Sequence, residues 1–315
     1  MNGRPPDHIP VLVKEVLELL DPQPDQCLVD CTVGMGGHAR VLGERLGPRG
    51  RVIAIDWDEG NLALARARLS DLPCPFELIH GNFADLDRIL LRAGAERVDR
   101  ILVDLGLGSN QLDDPERGFS FLHDGPLDMR IDRRQDVSAL ELVNRLSERE
   151  LADLIYFNAQ ERFSRRIAKR ICMARHRARI RSTRHLAEVV ASAVGVDPAS
   201  RRSKIHPATR TFLALRMAVN RETENLRSLL EKAPALLSPG GRIGVISFHS
   251  VEDRQVKVDF RNRSRQGLYT IVNKRPVIAQ PVERQANPRS RSAKLRVAER
   301  TAQPVSAHLG GAVRP

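Results

Sequence analysis

"DCTVGMGGHA", residues 30–39, decides how the rest of the chain is read. An aspartate closes an apolar run (QCLVDC, 26–31). Three glycines, Gly34, Gly36 and Gly37, then crowd into four positions, and a helix-forming stretch, HARVLGERL (38–46), follows. Glycine lets the backbone reverse sharply and lets a ligand approach it. The first N–H groups of the helix that follows point at whatever is bound there. The same alternation recurs: RVIAIDWD (51–58) precedes NLALARARL, PFELIHGNF (75–83) precedes ADLDRILLRA, and RVDRILVDLG (97–106) makes a fourth strand. Strand and helix in repeated order predict a parallel sheet with helices on its faces. The unbroken apolar strands fit a sheet covered on both sides.

Beyond the fourth strand the pattern changes. From about 112 to 215 no strand stands out, whereas SALELVNRLSERELADLIYFN, ERFSRRIAKRICMARH and RHLAEVVASAVG have helical periodicity. PATRTFLALRMAVNRETENLRSLLEKAPALL reads as two more helices. PGGRIGVISFHS (239–250) returns to strand, and AKLRVAER (293–300) offers a closing one. A helical domain is therefore expected to interrupt an α/β sheet between its fourth and fifth strands. The domain boundaries follow: 1–111 and 216–300 for the two parts of the sheet domain, 112–215 for the insertion, and 301–315 as a disordered tail rich in Gly, Ala and Pro.

Composition narrows the partner. Lys and Arg outnumber Asp and Glu by 51 to 39, a net charge of +12, which points to a polyanion such as nucleic acid. Residues 162–184, RFSRRIAKRICMARHRARIRSTR, carry a dense cationic run with no acid inside it. A solvated helix face ordinarily mixes signs, so Arg165, Arg166, Lys169 and Arg170 are candidate contacts to a nucleic-acid backbone, RNA if the resemblance described below holds. Arg289 and Arg291 in NPRSRSAKLR are similar candidates, and so is His249 at the end of the fifth strand. The four cysteines make no C-x-x-C pair and no His cluster stands at zinc spacing, so no metal is expected. No segment reaches the roughly 18 apolar residues of a membrane span. A reducing, cytoplasmic setting is expected.

Two readings of the glycine turn compete. GMGGHA loosely fits G-x-G-x-x-A, the dinucleotide fingerprint, and Asp56 at the end of the second strand stands where ribose hydroxyls are accepted. Asp30, however, precedes the glycines and would repel a pyrophosphate. It suits the sulfonium and ammonium groups of S-adenosylmethionine. Asn82 and Phe83 after the third strand offer a hydrogen bond and an adenine-packing ring. A phosphate-binding P-loop is excluded, because no G-x-x-x-x-G-K-[ST] is present.

DLGLGSNQLDDPERGFSF (104–121) follows the fourth strand, where substrate would meet cofactor. With this loop the chain resembles the MraW-type methyltransferases. The resemblance is carried by HIPVL (8–12), DCTVGMGGH, the loop just quoted and GPLDMRID (125–132). It continues through HPATRTFLALRMAVN (206–220), PGGRIGVISFHSVEDRQVK (239–257) and NPRSRSAKLRVAER (287–300). It implies a class I, Rossmann-like methyltransferase sheet with an inserted all-helical domain. The implied reaction is methyl transfer from S-adenosylmethionine to the N4 amine of a cytidine in bacterial small-subunit ribosomal RNA. The implied partner is that RNA or the assembled small ribosomal subunit, with neither membrane nor metal, and a homodimer is admissible. The cofactor contacts it implies are Gly36, Gly37, His38, Asp56, Phe83, Asp104 and Gln111, to which the residue reading adds Asp30, Gly34 and Asn82. Asp104 is the candidate acceptor for the amine protons, with Ser109 and Asn110 on the base edge. Phe119, Phe121, Phe248 and His249 are candidate walls of a base pocket, with core packing the commoner role for Phe119 and Phe121. Ala39 and Gly108 stand where the family usually has Ser, and YFNAQERFSRRIAKRI replaces a more usual YGEE stretch. A DNA amino-methyltransferase would instead carry [DNS]-P-P-[FYW] after the fourth strand, and the prolines and the aromatic are missing here.

Overall fold

A computed structural model describes residues 9–195 and 206–305. Most of the expected disordered tail, from residue 306 on, lies outside the described residues. The chain divides into two compact units, Met1–Gly106 with Glu224–Pro315, and Leu107–Thr223. These limits fall five residues before the expected start of the insertion and eight after its expected end.

The first unit is built on one sheet. Its strands are β1 (Cys27–Asp30), β2 (Arg51–Asp56), β3 (Phe76–His80), β4 (Val98–Asp104), β5 (Leu237–Ser247), β6 (Tyr269–Ile271), β7 (Val277–Ile278) and β8 (Lys294–Arg300). Their order is β3-β2-β1-β4-β5-β8-β6, with β7 also on β8. The strands from β1 to β5 pair in parallel, and β8 runs antiparallel to β5. The strand alternation sorts each apolar run onto two faces. Val29, Ile53, Ile55, Ile101 and Val103 join one buried cluster with the helices Leu86–Arg92, Glu222–Leu236 and Ser250–Arg265. Leu28, Val52, Ala54 and Leu102 join the other, with Val13–Leu20, Gly37–Gly43 and Glu59–Leu69. The register of β8 on β5 is pinned where Arg242 faces Glu299, with Nε 2.8 Å from Oε2.

The strand order reverses at β1 and β4. In an open parallel sheet, ligands bind beyond the carboxyl ends of the strands at such a switch point. The sheet thereby gathers the ends of β1, β2 and β4 around the glycine turn.

The second unit is helical in its described residues, apart from an isolated bridge between Pro126 and Ser182. The helices Ala139–Arg145, Glu148–Ala159, Ser164–Arg177, Thr183–Val194 and Thr209–Val219 share one apolar core. The stretch expected as one helix, 138–158, is two. Ser147 caps the second, accepting from Glu150 N–H while Glu150 accepts from Ser147 N–H at 2.8 Å, the reciprocal capping box. Two of the quoted motifs turn out to be scaffold. Asn220, fully buried, donates to Met129 O at 2.8 Å and accepts from Ile131 N–H at 2.8 Å. It thereby fixes the segment in which Met129 takes a φ of 64°. Phe119 lies in this core, and Phe121 packs on His206 and Phe212 at centroid distances of 4.6 and 4.9 Å. These two rings are packing residues of the helical unit, the commoner of the two roles expected for them.

Replacing Asn220 by Ala removes the partner of the buried Met129 carbonyl and of the part-buried Ile131 amide. Expected is a loss of about 2 to 4 kcal/mol, read as a lower urea midpoint for the helical signal.

Candidate cofactor site

The glycine turn is held from within. Gly36 has a φ of +82° and its N–H donates to Val33 O at 2.7 Å. Gly34 N–H donates to Oδ2 of Asp56 at 2.7 Å. Both amides are therefore engaged by protein acceptors, and one of those acceptors is a carboxylate. A pyrophosphate would meet charge of its own sign where it needs free N–H groups, so the dinucleotide reading does not fit.

Three aspartates close the parallel strands around this turn. Asp30 ends β1 and is buried. Its Oδ1 accepts from Thr32 N–H at 3.1 Å, while its Oδ2, buried as well, has no well-formed hydrogen bond among the described residues, with Ala39 N–H a weak donor to the carboxyl. Burial, with the charges of Asp104 and Asp56 added, pushes its carboxyl up to about 7. Asp56 ends β2 and is tied down by Gly34, by Asp58 N–H at 2.8 Å and by Asn61 Nδ2 at 3.2 Å; burial pushes it up to about 6. The cap of the next helix is Asp58, not Asp56. Asp104 ends β4, its N–H donating to Thr32 Oγ1 at 2.7 Å and its Oδ1 accepting from Gly106 N–H at 3.4 Å. Burial raises Asp104 and the nearby His38 opposes the rise. Buried carboxylates that crowd one another and leave an oxygen without a well-formed hydrogen bond favour a cationic ligand. The residues present thus fit a sulfonium nucleoside with a free ammonium group.

His38 and Gly37 acquire roles that their spacing did not show. His38 Nε2 lies 2.8 Å from Val11 O, and Nδ1 faces Asp104 Oδ2 at 3.8 Å. A bond to a carbonyl makes Nε2 the protonated nitrogen. At Gly37 a Cβ would sit 2.9 Å from the ring of Pro10. The chain at 9–12, the stretch IPVL, therefore straps the turn.

The other predicted residues are distributed as follows. Asn82 caps a short turn, its Oδ1 accepting from Ala84 N–H at 2.9 Å, and Phe83 packs part-buried on the core beside β2. Gln111 is buried in the helical unit and its Oε1 accepts from Gly108 N–H at 2.9 Å. Ser109, Asn110 and Gln111 form one short helix, Ser109–Leu112, which starts at Gly108 without a side-chain cap. Arg165, Arg166, Lys169 and Arg170 are all exposed on one helix. Arg291 is exposed and Arg289 part-buried in the turn Pro288–Ser292. His249 has a structural role of its own. Its ring caps the helix Ser250–Arg265, with Nε2 3.0 Å from Glu252 Oε1 and 12% of the side chain exposed. It orders the turn after β5.

A glycine turn between a carboxylate-closed β1 and a carboxylate-closed β2, on a sheet of this order, defines a Rossmann-like methyltransferase. The chain belongs to the MraW methylase family, whose sequence pattern matches residues 6–301. It is 47% identical over 293 residues to the ribosomal RNA small subunit methyltransferase H of Cyanothece sp. (strain PCC 7425), covering 93% of this chain and 94% of that one. The protein of the same name from Acaryochloris marina is 48% identical over 296 residues, and the one from Koribacter versatilis 45% over 301 residues; both alignments cover 93% of this chain and 94% of the relative.

The shift of Asp30 fixes a pH dependence. Because folding raises its pKa from 3.8 to about 7, its contribution to the stability of the ligand-free protein is complete below about pH 4 and is lost as the pH rises through about 7. A cationic ligand favours the ionised form, so affinity for S-adenosylmethionine rises over the same interval. Calorimetric titration across it is expected to show that rise in the native protein. Asp30→Asn should flatten it and bind about 10- to 100-fold more weakly above neutrality.

Proposed function

We propose that the protein transfers a methyl group from S-adenosylmethionine to the exocyclic N4 amine of a cytidine in bacterial small-subunit ribosomal RNA, in the cytoplasm. One observation carries the reading: the buried Oδ2 of Asp30, without a well-formed hydrogen bond among the described residues and set among three carboxylates, in a chain of the MraW methylase family. The names of the relatives above, which specify small-subunit ribosomal RNA, supply the substrate class.

Asp30, Gly34, Gly36, Gly37, His38, Asp56, Asn82, Phe83, Asp104 and Gln111 are the residues proposed to hold the cofactor. When bound, S-adenosylmethionine supplies an electrophilic methyl group next to a positive sulfur. The chain's own residues must then align a poor nucleophile, because the lone pair of a cytosine amine is delocalised into its ring. Asp104 offers a carboxylate at the end of β4 that accepts hydrogen bonds from the amino protons and draws the nitrogen toward tetrahedral geometry. The amine needs no strong base before attack, since it becomes acidic once methylated. Ser109 and Asn110 hold the base edge. The cationic helix Ser164–Arg177 contacts the RNA backbone, so binding should weaken steeply with salt.

The test is transfer of labelled methyl to isolated small ribosomal subunits and to naked ribosomal RNA, with nucleoside analysis of the product. Label on N4 of a cytidine is expected, and label on a ring carbon or on ribose would overturn the reading. With Asp104→Ala, turnover should fall by about 100-fold or more, the usual scale of a positioned acid–base group. Retention of full turnover with only weakened cofactor binding would remove Asp104 from the proton-accepting role.

A further inference from the structure

The stretch that departs from the family pattern, YFNAQERFSRRIAKRI, builds a surface of its own on the helical unit. Tyr156 and Phe157, at the end of the helix Glu148–Ala159, are 52% and 68% exposed, with ring centroids 5.4 Å apart and planes at 77°. In a chain with 4% aromatic residues, two adjacent exposed rings call for a partner. Gln160, with a φ of 52°, ends the helix, and its N–H donates to Tyr156 O at 2.7 Å. Five residues after Phe157, within about 17 Å of chain, the Arg162 guanidinium lies 4.9 Å over the ring of Phe163, with Arg166 at 5.6 Å.

The charge of this surface is mostly cationic, with two exposed acids at its ends, Asp153 on the helix of Tyr156 and Phe157 and Glu188 at the groove described below. Glu161 is the sole acid between Asp153 and Glu188. It is buried, accepting from Phe163 N–H at 2.9 Å and lying 3.6 Å from Arg210. The helix Ser164–Arg177 turns Ile167, Ala168, Ile171 and Cys172 into the core and Arg165, Arg166, Lys169, Arg170 and Met173 outward. Its 14 residues extend about 21 Å. They lead to a groove of about 340 Å³ between this helix and Thr183–Val194, bordered by Arg170, Met173, Arg177 and His185, with Glu188 as its one acid.

We propose that this face binds an unpaired stretch of RNA, with a base stacked on Tyr156 and Phe157 and the phosphates laid along Ser164–Arg177 toward the groove. The proposal rests on the RNA substrate proposed above. Charge decides the polyanion: a second copy of the chain would bring the same cations against these. The rings decide for unpaired RNA, since a duplex hides the base faces that stack on aromatic side chains.

The experiment measures binding of oligouridylate and of an RNA duplex with the same number of phosphates by fluorescence anisotropy, over a range of salt and without methyl donor. The double variant Tyr156→Ala, Phe157→Ala removes exposed groups, and an unchanged melting temperature verifies its fold. It should bind the single strand about tenfold more weakly with an unchanged salt slope, and the duplex nearly as well as before. The pair Arg165→Gln, Lys169→Gln should lower the single-strand salt slope by about 1.4. Equal losses on both RNAs, or no loss, overturns the proposal. So does a native protein that sediments as a dimer and a variant that does not, because the rings would then cover a second copy. Failure of methyl transfer by the native protein, with this binding intact, would instead overturn the proposed reaction alone.

Discussion

The carboxylate of Asp30 is the constraint around which the site is built. It ends the central strand β1, flanked by β2 and β4, and lies out of contact with water. One oxygen is satisfied by Thr32 N–H, and the other has no well-formed hydrogen bond among the described residues, the Ala39 N–H only easing its charge. A lone buried carboxylate is costly, and the neighbouring Asp104 and Asp56 make it more so. The fold tolerates this arrangement because the strands that position the three aspartates are covered on both faces by aliphatic clusters. The stability of the sheet thus holds in place a site that is unfavourable without a cation, a common relation between a scaffold and its functional residues.

The glycine turn that faces these carboxylates is held by two distant parts of the same unit. Pro10 and Val11 lie against Gly37 and His38. The strap is in turn fastened to the C-terminal segment, where Glu283 Oε1 accepts from Leu12 N–H at 2.7 Å and Asn287 Nδ2 donates to Ile9 O at 2.9 Å. Leu12 takes a φ of 54°, a conformation unfavourable for a branched side chain, and these bonds stabilise it. The position of His38 beside Asp104 therefore depends on residues almost three hundred positions apart in sequence.

Sequence legibility followed the physical character of each element. The strands β1 to β5 are short apolar runs bounded by glycine or acidic residues, and their alternation onto two faces only refines what the runs imply. The glycine turn with Asp30 and Asp56 could be read because the chemistry lies within a single β-turn-α unit and at the next strand end. The helix Ser250–Arg265 gave no clear periodicity, since its buried positions include Glu252 and Arg263 beside Val256 and Phe260. Strands β6 and β7, three and two residues long, are too short to register. The roles of Pro10, Val11, Glu283 and Asn287 depend on tertiary contact that no local pattern encodes. At Phe119 and Phe121 the commoner role of an aromatic ring, packing within a core, is the one used. At His249 the N-cap role of the ring depends on the helix that follows β5, which the strand pattern alone did not show.

The most direct measurement is the titration of the Asp30 carboxyl carbon by nuclear magnetic resonance, in the ligand-free protein and with S-adenosylmethionine bound. If the buried aspartate is the cationic ligand's counter-charge, the free protein titrates near 7, and the cofactor lowers that midpoint below the ordinary carboxylate value. An Asp30 that titrates in the ordinary range when free, or a midpoint that the cofactor leaves unmoved, would contradict the assignment of this carboxylate as the group around which the site is built.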